Sequence, residues 1–175
     1  MNSTYIPRIV DRELQELLAS FGAVLIEGPK WCGKTTTAQT TAASSLMLAD
    51  PTGDFANRTL AELDPSLALA GDHPRLIDEW QEIPKLWGAV RFECDRIGTP
   101  GLFILTGSAT PHDNHAPMHS GVGRITRLSM GTMTLKELGI SNGAVSLAQL
   151  FAGKTTTGMG SLGLERIAEL IVRGG

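Results

Sequence analysis

The run "AVLIEGPKWCGKTTT", residues 23–37, restricts the fold more than any other stretch of the chain. Its opening, "AVLIE", is short, branched and continuous, which reads as a buried strand, and Gly28-Pro29 ends it. A polar, alanine-rich segment follows that can start a helix around Gly33 and run to about Ala43. Strand, glycine turn and helix in that order make an anion site, because free amide N–H groups of the turn and the helix start converge on one point. Gly28 and Gly33 allow unusual dihedrals and close backbone approach. Lys34 can reach terminal phosphates, and the Thr35 hydroxyl can join a Mg²⁺ shell. With this chain's residue frequencies the pattern G-x-x-x-x-G-K-[ST] arises by accident in roughly one such chain in a hundred, before strand and helix are required. The plain alternative is a glycine turn that merely starts a helix. A partial repeat at Gly153, Lys154 and Thr155 has Ala148 where the first glycine belongs and no apolar strand ahead of it, so it reads as a surface turn.

The totals set the frame around that loop. A chain of 175 residues fits one main domain, and 42% hydrophobic with 19% charged residues describes a globular protein rather than a disordered one. A net charge of −3 gives no basic field, so neither nucleic acid nor an anionic membrane is indicated as a partner. No apolar stretch approaches the roughly eighteen residues of a membrane span, and "MNSTYIPR" lacks the pattern of a signal peptide, so the expected location is cytoplasmic. Cys32 and Cys94 form no CxxC or Cys/His spacing, and both thiols are expected to be reduced.

Periodicity predicts an amphipathic helix over 8–20, a second strand at 45–50 and a short helix after Asp64. A third strand, "RLIDEW", precedes a helix that starts near Pro84 and ends at Gly98. "GLFILTGS" is a clear strand, and a further one covers about Arg124 to Met130; a small helix at "SLAQLF" and a last one over 161–172 close the chain. Strands alternating with helices imply parallel pairing in a layered α/β domain. Residues 109–123 carry no periodicity and many turn formers. His112, Asp113, His115 and His119 lie in this loop and could wrap a metal, although no framework surrounds them. Trp31, Trp80 and Trp87 are too scattered for a nucleic-acid stacking platform.

Asp78 and Glu79, at the end of the third strand, point to the reaction class. An aspartate there can hold Mg²⁺ directly or through water, and the adjacent glutamate can act as general base towards an attacking water. A kinase for small molecules would need a bound acceptor and a lid that excludes water, and no arginine-rich lid is present. The alternative for the pair is a strand-ending turn with solvated acids. One strand lies in sequence between loop and acids, which fits the division of P-loop ATPases that carries an additional strand and a catalytic glutamate.

"YIPRIVD", "LIEGPKWCGKTTT", "PRLIDEWQEIP", "LFILTGSATP" and "SGVGRITRLSMGTMTLKELG", in this order, resemble the prokaryotic AAA+ ATPases whose nucleotide-binding module precedes a C-terminal domain of unknown function. The resemblance implies a three-layer P-loop NTPase fold, mainly parallel and five-stranded, with strand order 5-1-4-3-2. It implies residues 1–135 as the ATPase core with its N-terminal helix and 136–175 as a helical extension leading to a missing C-terminal domain. Gly28, Pro29, Lys30, Trp31, Cys32, Gly33, Lys34, Thr35 and Thr36 match the Walker A loop that takes ATP, while Asp78 and Glu79 match Walker B. Thr35 and Asp78 would hold Mg²⁺. Thr106 or Ser108 would act as sensor 1, and Arg124 as an arginine finger towards a neighbouring subunit, unless it is simply a strand-starting arginine paired with an acid. Arg8 could approach the nucleotide or lie in solvent, and the helix start beside Cys32 could make that thiol reactive. ATP rather than GTP rests on the resemblance, since no N/T-K-x-D string occurs. Family members continue past a string like Arg173–Gly175, so the resemblance further implies an N-terminal module with slow turnover.

The expected activity is Mg²⁺-dependent hydrolysis of ATP to ADP and phosphate, with a homo-oligomer and an unidentified protein partner in the full-length form. The competing expectation is a nucleotide-gated interaction switch with little turnover, and a phosphotransferase stands behind both.

Overall fold

The computed structural model describes residues 5–108, 123–160 and 162–173. Two compact units emerge, Ile9–Gly131 and a second made of Met1–Arg8 with Thr132–Gly175.

The first unit is built on a sheet of β1 (Ala23–Gly28), β2 (Ser44–Met47), β3 (Arg75–Asp78), β4 (Phe103–Ser108) and β5 (Ile125–Ser129). The strands lie in the order β2-β3-β4-β1-β5, and every neighbouring pair is parallel. This is the AAA+ order expected from the sequence. Both faces are covered, which explains why β1 and β4 read as unbroken apolar runs instead of alternating ones. Ala23, Leu25, Phe103 and Leu105 pack with Ala61, Ala68, Leu86, Trp87 and Val90 on one face. Val24, Ile26 and Ile104 pack with Leu14, Leu18 and Ala38 on the other. The alternation is the period of two that sends successive strand side chains to opposite faces.

The helices of this unit are α1 (Val10–Leu18), α2 (Lys34–Thr41), α3 (Thr52–Leu63), α4 (Pro65–Leu69) and α5 (Lys85–Ile97). The helix after Asp64 is α4, whose cap is Asp64 itself: the carboxylate accepts from the backbone N–H of Ser66. α3 was not expected ahead of it. It buries only Ala61, and Gly53, Asp54 and Phe55 hold left-handed backbone angles that interrupt its first turn. α5 ends on Gly98, as predicted.

The second unit contains α6 (Leu147–Phe151) and α7 (Leu164–Arg173), and its described residues contribute nothing to the hydrophobic core. Within it the Arg8 guanidinium donates to Glu137 at 3.0 Å, with both side chains under a tenth exposed, so Arg8 is engaged in an ion pair. Among the described residues no helix is long and apolar enough to cross a membrane.

Candidate functional site

Parallel strands deliver all their C-terminal ends to one edge of the sheet, and that edge gathers most of the residues singled out by the sequence. β1 runs into the turn 28–33, and Gly33, with φ of 98°, stands directly ahead of α2. Gly28 answers a different need. A side chain there would put its Cβ 2.0 Å from the carbonyl oxygen of Met130, so only glycine lets the chain beyond β5 lie against the turn. Cys32 is buried, and its Sγ donates to that same carbonyl at 3.6 Å, a packing role that turns the thiol inward.

Lys34 is 5% exposed, and its ammonium donates to the carbonyls of Gly28 at 3.0 Å and Pro29 at 2.9 Å. Both acceptors are neutral. A buried cation held by neutral dipoles is poorly compensated, so a phosphate oxygen offered to it replaces weak partners with a charged one. Pro29, Lys30 and Thr36 are exposed on the turn and the first turn of α2. Trp31 is 98% exposed with φ of 65°, a bulky side chain held outward in a left-handed conformation.

Three elements meet at Asp78, the buried last residue of β3. Its Oδ1 accepts the Thr35 hydroxyl from the start of α2 at 2.6 Å and the Thr106 hydroxyl from β4 at 2.6 Å. Thr106 also accepts the backbone N–H of Glu79 at 3.1 Å. Of the two candidates on β4, Thr106 is therefore the one tied to the acids. Ser108 ends the strand in register with Gly28, and its side chain falls outside the described residues. Glu79 takes φ of 57°, which turns the chain sharply out of β3 into the 3-10 turn Trp80–Glu82, and its carboxylate accepts from the side-chain amide of Gln81.

Does this set of groups suit a metal-bound triphosphate? One carboxylate and two hydroxyls within hydrogen-bond reach of each other are hard oxygen donors. Mg²⁺ asks for few such protein ligands, because waters and substrate phosphates fill the rest of its octahedron. The groups fit. Among the described residues no cluster of three or more His, Cys, Asp or Glu could hold a metal ion. The His112–His119 cluster and the rest of the loop 109–122 lie outside the described residues.

Arg124 is not part of this assembly. It immediately precedes β5, in register with the start of β1, so it lies at the opposite edge of the sheet, about 17 Å of strand away. There its guanidinium pairs with Asp95 at 2.6 Å, both side chains half exposed. That edge also holds Cys94, whose thiol is pushed up to about 11 by burial and by the charges of Asp95 and Glu93.

A family model described as an AAA domain, AAA_14, matches residues 20–139. The chain belongs to this AAA family. It is also 33% identical over 131 residues to uncharacterized proteins of Mycobacterium tuberculosis and Mycobacterium bovis. The matched region covers 73% of this chain and 29% of each relative, so the chain spans under a third of their length. Membership makes the chain a nucleotide-binding, P-loop module of AAA-type ATPases.

Sequence reading gave no site role to Gln81, Trp80 or Gly107, which lie around the turn that carries Glu79. The string "DEWQ" contained two of them, and an amide two residues beyond an acid in a turn was the available signal.

Proposed function

We propose that this AAA module binds ATP with Mg²⁺ at the turn 28–35 and hydrolyses it to ADP and phosphate. One observation carries the reading: Asp78 Oδ1 joins the hydroxyls of Thr35 and Thr106 at 2.6 Å, tying the helix that follows the phosphate turn to the two strands bearing the acids and the sensor.

In this reading the amides of the turn cradle the phosphates, and Lys34 exchanges the carbonyls of Gly28 and Pro29 for oxygens of the terminal phosphates. Thr35 and Asp78 would hold Mg²⁺, which when bound neutralises charge on the β and γ phosphates. Glu79 takes the proton of the attacking water, and Thr106 keeps the backbone of Glu79 and the carboxylate of Asp78 in fixed relation. Ser108, beside Gly28 in the sheet, remains the second candidate for sensing the γ-phosphate. Arg124, at the far edge, can serve a transition state only on a nucleotide held by another copy, which makes a homo-oligomer part of the proposal.

Measuring phosphate release and ATP affinity separates binding from chemistry. Glu79→Gln is expected to keep affinity within about threefold while turnover falls by about 10²- to 10⁴-fold. Lys34→Ala is expected to lose affinity itself. A wild type that binds MgATP but releases no phosphate overturns hydrolysis in favour of a nucleotide-gated switch.

A further inference from the structure

The carboxylate of Glu79 is held by a neighbour that none of the family motifs quoted above assigns a task. We infer that Gln81 is the positioning residue for Glu79, its side-chain amide fixing the carboxylate in the orientation from which it accepts the proton of the attacking water. The inference rests on the hydrolytic reading and extends it to a residue outside the loop and the acid pair.

The backbone of Glu79 is pinned first. Its left-handed angle is unfavourable for a residue with a side chain, and the bond from its N–H to Thr106 holds it in place. A glutamate fixed only at its backbone still has three rotatable side-chain bonds. Its Oε2 accepts from Gln81 Nε2, which removes that freedom. Catalytic geometry is sensitive here, since a displacement of about 1 Å can lower a rate by about 100-fold.

The glutamine is itself positioned by an absence of side chain. A Cβ on Gly107 would stand 3.0 Å from Gln81 Oε1 and 2.9 Å from Trp80 Nε1, closer than such contacts allow without a shift. Gly107 pairs in register with Glu27 of β1, so the amide of Gln81 rests over the end of β4, between the strand of the acids and the strand entering the phosphate turn. The ring of Trp80 packs against Trp87 of α5, tilted by 41° with centroids 5.0 Å apart, and anchors the turn from the other side. Gln81 Oε1 is buried and has no hydrogen-bond partner among the described residues. An unpaired buried acceptor is unfavourable, so the oxygen does not fix the side chain. Its orientation is instead dictated by the bond that its nitrogen makes to Glu79.

The test compares turnover and ATP affinity in the wild type, Gln81→Ala, Gly107→Ala and the double variant Gln81→Ala/Glu79→Gln. Gln81→Ala is expected to lower kcat about 10- to 100-fold with affinity within about twofold. Gly107→Ala should act in the same direction, because its methyl displaces the glutamine without touching the phosphate turn. In the Glu79→Gln background the Gln81 change should cost nothing further, since it acts through a base already removed. The side-chain amide signals of Gln81 in an NMR spectrum should move in Glu79→Ala and stay in place in Glu82→Ala. Full or raised activity in Gln81→Ala, multiplied losses in the double variant, or amide signals indifferent to Glu79→Ala overturns the assignment. If the wild type itself binds ATP without turnover, the hydrolytic reading fails first. Wild-type turnover with an unaffected Gln81→Ala overturns this inference alone.

Discussion

Gly28 and Gly33 show how one sequence pattern hides two physical demands. Gly33 takes a backbone angle that other residues avoid, whereas Gly28 is required by the Met130 carbonyl lying where its side chain would be. The spacing in the sequence displayed the first need and was silent on the second, because the partner lies about a hundred residues away. A methyl group at Gly28 cannot be relieved by rotating a side chain, since the atom it meets is backbone. Gly28→Ala is therefore expected to destabilise the fold by about 1–3 kcal/mol and to weaken MgATP binding by moving the turn. Urea denaturation together with nucleotide titration checks both, and a stable variant with normal affinity would show that the edge beyond β5 yields freely. Lys34, Thr35, Asp78 and Glu79 stood out in the sequence as candidates because phosphate, metal and water chemistry each ask for one kind of group, and the structure brings Thr35 and Asp78 within hydrogen-bond reach. Between Thr106 and Ser108 the sequence offered no choice, since both follow the apolar run; the register of β4 against β3 brings Thr106 to Asp78.

At the scale of elements, the strands and the helices that cover them were readable where burial is two-sided or one-faced and periodic. β1, β4 and α5 carry such patterns and lie within a residue or two of their expected bounds. α3 was not expected, although Leu60 and Leu63 stand at helical spacing, because that spacing runs on across Pro65 and reads as belonging wholly to the helix after Asp64. α4 was visible as periodicity after Asp64, with Pro65 suited to its first turn, and the structure adds the capping role of Asp64 itself. The hydroxyl and the backbone N–H of Ser66, both donating to Asp64, hold that carboxyl below its ordinary value of 3.8. A carboxyl lowered by folding stabilises the native state above its unfolded pKa, and the contribution is lost as pH falls through the lower folded value. Asp64→Ala should thus lower the urea midpoint near neutral pH, and the gap to the wild type should narrow as pH falls below the ordinary carboxylate range. A gap that persists in acid would mean that the residue acts by packing instead of by its charge.

For the molecule as a whole, burial and function concentrate in the same unit. Every buried residue in the described chain lies between Leu14 and Met130, while the unit that holds α6 and α7 keeps Leu147, Phe151, Met159 and Leu164 largely exposed. Two glycine-lysine-threonine strings fall on opposite sides of this division, which sets up an internal comparison. Lys30, in the first turn, and Lys154, in the second string, are both exposed to trypsin. Only the first sits beside the buried Lys34 ammonium and the Asp78 carboxylate with its two hydroxyl donors. MgATP at a hundred times its Kd would stabilise the core by about 2.7 kcal/mol, an upward shift of its thermal midpoint on the order of 10 °C. The same addition should slow cleavage after Lys30, where a bound triphosphate would hold the turn, and leave the rate at Lys154 unchanged. Equal protection at both lysines would indicate a nonspecific effect of the nucleotide. Protection at neither, without a thermal shift, would separate the strand order and the AAA membership of this chain from any working phosphate site.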